Sequence, residues 1–186
     1  MCNCSISLMA LAGATNFCEV FFTDVVLDDD AMVGNEGDGW AAAMTMLTAE
    51  RRAIGARPAF HDQLRSFERF LHAHEVSSHR LDAAVAAYVE GRAAQLLANR
   101  AQSLSDTEQG IPCDGQLVKL AINRAGRQMA STVSRLSGVE LSAWERHHGS
   151  DIWRLMVLNT PSSSIAAGTD EIQKNILAER ALGLPK

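Results

Sequence analysis

Hydrophobic positions recur along this chain with a helical period over most of its length, and with strand-like density in one place only. The segment from Phe17 to Leu27 (FCEVFFTDVVL) is crowded with aromatic and β-branched residues and predicts a strand. Asp28 to Asp30, and the run VGNEGDG from Val33 to Gly39, predict turn and loop. Trp40, Ala43, Met44, Leu47 and Ile54 then share one face of a helix that Asp38 can cap. Pro58 kinks or ends that helix, and Phe60, Leu64, Phe67 and Leu71 carry the stripe onward. A second long helix is expected from Arg80 to Leu104, with Leu81, Val85, Tyr88 and Leu96 as its apolar face. After a loop from Ser105 to Gly115, a third helix places Leu117, Leu120, Ala121, Ala125, Met129, Val133 and Leu136 on one side until Gly138 interrupts it. Asp151 to Leu158 predicts a short helix before Pro161. The last helix opens at Thr169, carries Asp170 and Glu171 where the macrodipole favours acids, and stops at Gly183 with Pro185 beyond.

Four or five amphipathic helices with short connections make an antiparallel bundle, so the expected class is mainly α with a short N-terminal β segment. The strand does not fit a bundle by itself, because a lone strand leaves its edges unpaired. Either the first dozen residues fold back on it as a hairpin, or its sheet lies elsewhere. The second is the expectation adopted here. The domain division that follows is 1–38 as a β remnant and linker, and 39–186 as the helical domain.

Composition narrows the function. With 186 residues, 47% of them hydrophobic and 21% charged, the chain can bury a core and does not read as disordered. No apolar run approaches the roughly 20 residues of a membrane span. A net charge of −5 argues against nucleic acid as partner. Cys2, Cys4, Cys18 and Cys113 are too few and too scattered for a disulfide framework, and Cys2 and Cys4 have no second pair to complete a metal site. The opening residues lack the basic start of a secretory signal, which leaves reduced thiols in the cytoplasm as the expectation. Glu145 and His148 form one E-x-x-H where a di-iron bundle needs two, so no metal is predicted.

Two places could carry chemistry. Glu50 and Arg51, in MLTAERRAIGA, fall where the stripe from Trp40 to Ile54 calls for an apolar residue. A carboxylate there is either a general base on a helix lining a cleft or half of an ion pair at the edge of the core. The second place is SIAAGTDEIQKN, Ser164 to Asn175, where Gly168 leads into a helix N-terminus capped by Thr169. Such an end offers free backbone N–H groups and partial positive charge to a phosphate, although most glycine–threonine helix starts are only caps.

Taken together, FCEVFFTDVVLDDDAMVGNEGDGWAAAMTMLTAERRAIGA (Phe17 to Ala56) and SIAAGTDEIQKNILAERALGLPK (Ser164 to Lys186) resemble the acyl-CoA dehydrogenase family of flavoenzymes. The first block is similar to the family's last strand of the middle β-domain, its entry loop and the first helix of the C-terminal bundle; the second is similar to its closing signature. The resemblance implies an acyl-CoA dehydrogenase C-terminal helical domain, preceded in the family by an N-terminal helical domain and a β-domain that this chain mostly lacks. It implies FAD as cofactor, an acyl-CoA thioester as substrate, an electron-transferring flavoprotein as electron acceptor, and homo- or hetero-oligomers of dehydrogenase subunits. Many members carry the base in an E-G-T motif near the C-terminus, and here that stretch is Ala167-Gly168-Thr169. Others place the base on the first bundle helix just before an arginine. That arrangement matches Glu50 as the base and Arg51 beside it as a substrate contact. Gly168, Thr169 and Glu171 match positions that contact FAD. Two cofactor features depart from the family pattern: an arginine-bearing F-G segment has no counterpart between His72 and Arg80, and Arg135 to Val139 replace a glycine-rich stretch. These departures resemble a bacterial subgroup that includes mixed oligomers with a partner subunit. The alternative function is therefore a non-catalytic helical subunit that stabilises a heteromeric flavoenzyme.

Overall fold

The computed structural model describes residues 2–10, 13, 17–55, 58–105, 113–142 and 152–185. They fall into two compact units, 1–48 and 49–186, each described here by itself. The first contains β1 (Cys2–Leu8), β2 (Phe17–Phe22) and the start of α1 (Gly39–Gly55). The second contains the rest of α1, then α2 (Pro58–Ala73), α3 (Ser78–Ser105), α4 (Asp114–Ser137), α5 (Ile152–Ser163) and α6 (Asp170–Arg180).

The strand has a partner inside the chain, contrary to expectation. β1 pairs antiparallel with β2, from Cys2 opposite Phe22 to Leu8 opposite Phe17, with an irregularity between Cys4 and Ile6. The alternation of polar and apolar residues in CNCSISL is a strand period that the missing-sheet reading passed over. β2 also stops at Phe22, short of Leu27. The apolar residues beyond it, Val25, Val26 and Leu27, are exposed. Asp38 sits before α1 and its carbonyl accepts the N–H of Ala42. Its carboxylate turns back to the backbone and side chain of Asn35, at 3.2 and 3.1 Å, rather than forward.

The bundle core confirms the α2 stripe. Phe60, Leu64 and Phe67 are buried, joined by Ala125, Met129 and Val133 of α4 and Trp153 of α5. Phe67 meets Trp153 edge-on, with ring centroids 5.7 Å apart. Pro58 starts α2, a position where its missing N–H costs no helical bond.

On α3 only Tyr88 of the expected apolar face packs against the core. Leu81, Val85, Val89 and Leu96 are about half exposed or more, while Ala84, Ala87, Gly91, Ala94 and Gln95 face the core. Size decides this. A Cβ at Gly91 would lie 2.7 Å from Leu64 Cδ1 and 3.6 Å from Met129 Sδ, so α2 and α4 close on α3 through its small residues. α4 is the central helix, and it buries two faces rather than one stripe. Ala125, Met129 and Val133 face the core, while Lys119 and Asn123, also buried, meet the α5–α6 connection.

α5 runs through Pro161 to Ser163 rather than stopping before it. Hydroxyl groups bond the carbonyls around the proline: Thr160 to Met156 O at 2.6 Å, Ser162 to Asn159 O and Ser163 to Thr160 O, both at 2.7 Å. The Glu145 and His148 motif lies outside the described residues.

Candidate functional site

The connection between α5 and α6 is the best-defined polar feature of the bundle. Thr169 is in extended conformation (φ −62°, ψ 160°) and its hydroxyl oxygen accepts the N–H of Ile172 at 3.3 Å, as an N-cap does. Immediately before it, Ala167 (φ 55°) and Gly168 (φ 87°) both have left-handed backbone. For Ala167 that conformation costs about 1–2 kcal/mol. Gly168 has no alternative, since a Cβ there would lie 2.5 Å from Gln173 Nε2.

The turn is held from both sides. On the inside, the fully buried Gln173 amide donates to Ala167 O at 3.1 Å and Gly168 O at 3.4 Å. Its own oxygen is buried with no partner among the described residues. On the outside, α4 presents Lys119, Asn123 and Arg127, spaced by one helical turn each. All three donate to the carboxylate of Asp170, at 3.4, 2.7 and 2.9 Å. Asn123 also donates to Ser163 O at 2.9 Å, Arg127 to the Ser164 hydroxyl, and Asp170 N–H to Ser164 O at 3.0 Å.

The sequence places Asp170 in the first turn of the last helix, where the macrodipole favours an acid, without pointing to its three partners. The signal was available as K-x-x-x-N-x-x-x-R, a polar ladder on a helix whose other face is apolar.

Burial alone would push the Asp170 carboxyl up, but hydrogen bonds from Arg127, Asn123 and Lys119 outweigh it and hold the group below its ordinary value of 3.8. A depressed folded value means that the stabilisation is complete above the unfolded value and is lost as pH falls through the folded one. Urea midpoints measured from pH 7 downward should therefore drop below about pH 4. Asp170→Asn should remove part of that acid slope; equal slopes in the two proteins would contradict the assignment. Glu171 is exposed and is also held low, first by its own backbone N–H, then by Thr169.

These bonds change the expectation of a ready phosphate site. The N–H groups of Asp170 and Ile172 already have acceptors in Ser164 O and Thr169 Oγ1. What the turn offers outward is an acceptor, the exposed Glu171 carboxylate. A carboxylate acceptor suits a hydroxyl or amino donor better than a phosphate.

The structure brings Gly168, Thr169 and Glu171 together at this turn. Glu50 lies on α1 and is exposed, so burial gives no reason for its charge, and it makes no ion pair with the described residues. Arg51 is helical, and its side chain lies outside what the structure describes.

The described bundle thus closes on a helix that opens at a glycine–threonine turn and is buttressed by the central helix α4. Residues 37–182 match the family described as acyl-CoA dehydrogenase, C-terminal domain, and the chain belongs to the acyl-CoA dehydrogenase family, whose members are FAD-dependent. It is 32% identical over 183 residues to acyl-CoA dehydrogenase IpdE1 of Mycolicibacterium smegmatis, an alignment covering 95% of this chain and 44% of that protein. The chain thus spans less than half the length of that relative. The fold resembles that of the Tcur3481–Tcur3483 steroid ACAD G363A variant, with a TM-score of 0.82 and 16% identity over 100% of this chain and 50% of the other. The ChsE4–ChsE5 complex from Mycobacterium tuberculosis is also similar, with a TM-score of 0.79 and 17% identity over 100% and 50% of the two chains. Among the described residues no helix is long and apolar enough to cross a membrane.

Proposed function

We propose that this chain supplies the C-terminal bundle of a cytoplasmic, FAD-dependent acyl-CoA dehydrogenase acting on an acyl-CoA thioester, with an electron-transferring flavoprotein as acceptor. The observation that carries the reading is the Ala167–Gly168–Thr169 turn, strained yet held from two sides, with Glu171 exposed beside it. Gly168, whose missing Cβ makes room for Gln173, gives the turn its shape at the cofactor site, where the Thr169 hydroxyl would contact the cofactor and the Glu171 carboxylate would accept from its hydroxyl groups. Bound FAD supplies two-electron acceptance from the substrate's β-carbon. Glu50 takes the proton from the α-carbon, a role that alanine at position 167 leaves to another residue, and Arg51 contacts the substrate beside it.

The remaining surfaces of such a site come from outside the bundle, from further polypeptide or from a second subunit. Leu81, Val85, Val89 and Leu96 make an exposed apolar stripe on α3 suited to subunit contact. Two of the similar proteins are named as pairs of different subunits, which supports a homo- or hetero-oligomer of dehydrogenase subunits. The stripe, together with the exposure of Glu50, also favours a second reading, a non-catalytic helical subunit that stabilises a flavoenzyme partner.

The visible spectrum of the purified chain, dialysed after incubation with excess FAD, tests the cofactor site. A retained flavin band that Thr169→Ala and Glu171→Ala weaken is the expected result. A band that survives both substitutions unchanged would sink the assignment of this turn.

A further inference from the structure

The buried charges between α4 and α6 exceed what holding two helices together requires. Thr169 already caps α6, and the exposed Glu171 already meets its macrodipole. For plain adhesion, apolar residues of similar volume serve as well as a buried ion pair or better. What the polar arrangement adds is direction. Lys119, Asn123 and Arg127 converge on one carboxylate, and Asn123 and Arg127 reach past it to Ser163 and Ser164. Both ends of the connection are thus fastened to the same ladder, while residues 165–169 bulge between the fixed points and carry the two left-handed residues. Strain of that kind persists only where the surroundings over-determine it.

We propose that Asp170 is a positioning residue: bound to the Lys119–Asn123–Arg127 ladder of α4, it fixes the 163–169 turn and thereby sets where Gly168, Thr169 and Glu171 meet the cofactor. The effect on cofactor binding rests on the flavin reading above; the effect on the turn does not. Loss of the carboxylate leaves Lys119, itself buried, without its counter-ion and frees the turn to leave α4, while the α2–α3–α4 core remains apolar and intact.

The test uses two variants and two readouts. Asp170→Asn keeps the shape and removes the charge. The double variant Lys119→Met with Asp170→Leu replaces the buried pair by apolar groups and guards against simple misfolding. Amide hydrogen exchange of the peptide spanning 163–173 should accelerate by about tenfold or more in both, while peptides from α2 and α3 change by less than about twofold. The dissociation constant for FAD should rise by about tenfold in both. Acceleration spread evenly over α2 and α3, or an unchanged 163–173 peptide in the double variant, would overturn the proposal, as would unchanged FAD affinity in both variants. An unsubstituted chain that holds no FAD overturns the cofactor reading instead, and the exchange result alone then decides the role of Asp170.

Discussion

Replacing Glu50 by Gln in the assembled dehydrogenase is expected to lower turnover by about 10²–10⁴-fold, the usual contribution of a general base. Flavin content and the KM for the thioester should stay close to those of the unsubstituted enzyme. The expectation follows from what surrounds the residue and from what is missing elsewhere. Position 167, where many relatives carry the base, holds alanine, and no side chain there can accept a proton. Glu50 lies exposed on α1 and makes no ion pair with the described residues, so the substitution breaks none of the ion pairs among them. Exposed substitutions of that kind move stability by about 0.5 kcal/mol or less, which leaves chemistry as the cause of a large loss. Single-turnover bleaching of the flavin by acyl-CoA separates the proton-abstraction step from product release. Activity within about tenfold of the original would remove Glu50 as base and favour the stabilising-subunit reading.

Phe67→Ala is expected to cost about 3–5 kcal/mol of folding stability, the range for truncating a buried phenylalanine. Phe67 has no exposed surface, sits among Leu64, Met129 and Val133, and meets Trp153 edge-on at 5.7 Å. Phe67 and Phe70 both meet Trp153 edge-on, so the aromatic contacts tie α2 directly to α5. Against the roughly 5–15 kcal/mol that holds a typical domain together, such a loss leaves little margin. The urea midpoint should fall steeply with little change in the slope of the transition. Val85→Ala, on the outward side of α3, is the control and should shift the midpoint hardly at all. Equal losses at the two positions would mean that the outward side of α3 is as deeply packed as the core.

Approximate helix limits were legible because turn residues, a proline and a threonine cap at α6 mark them locally, but the expected four or five helices are six among the described residues, since Pro58 opens a separate helix, α2. The side of a helix that enters the core was legible only where size and hydrophobicity agree, as at Phe60, Leu64 and Phe67. On α3 they disagree: close packing wants alanine and glycine, and the larger apolar residues are turned outward. The hairpin was the less favoured of two readings because β1, CNCSISL, lacks the aromatic and β-branched density of β2. At the candidate site, the glycine–threonine turn could be read from four adjacent residues. Its anchorage could not, because Asp170 and Lys119 are 51 positions apart and neither advertises burial.

The β1–β2 hairpin has a consequence for how the chain behaves in a concentrated solution. Two strands have two outer edges, and β2 adds Val20, Phe21 and Phe22 as exposed apolar side chains. A helical stripe such as that of α3 can meet its own copy about a two-fold axis and be used up in a dimer. A strand edge has no such stopping point, since each added strand presents a fresh edge of its own. Growth by that route is open-ended and leads toward fibres or precipitate, unless a strand of defined length, from further polypeptide or from a dedicated subunit, occupies the edge first.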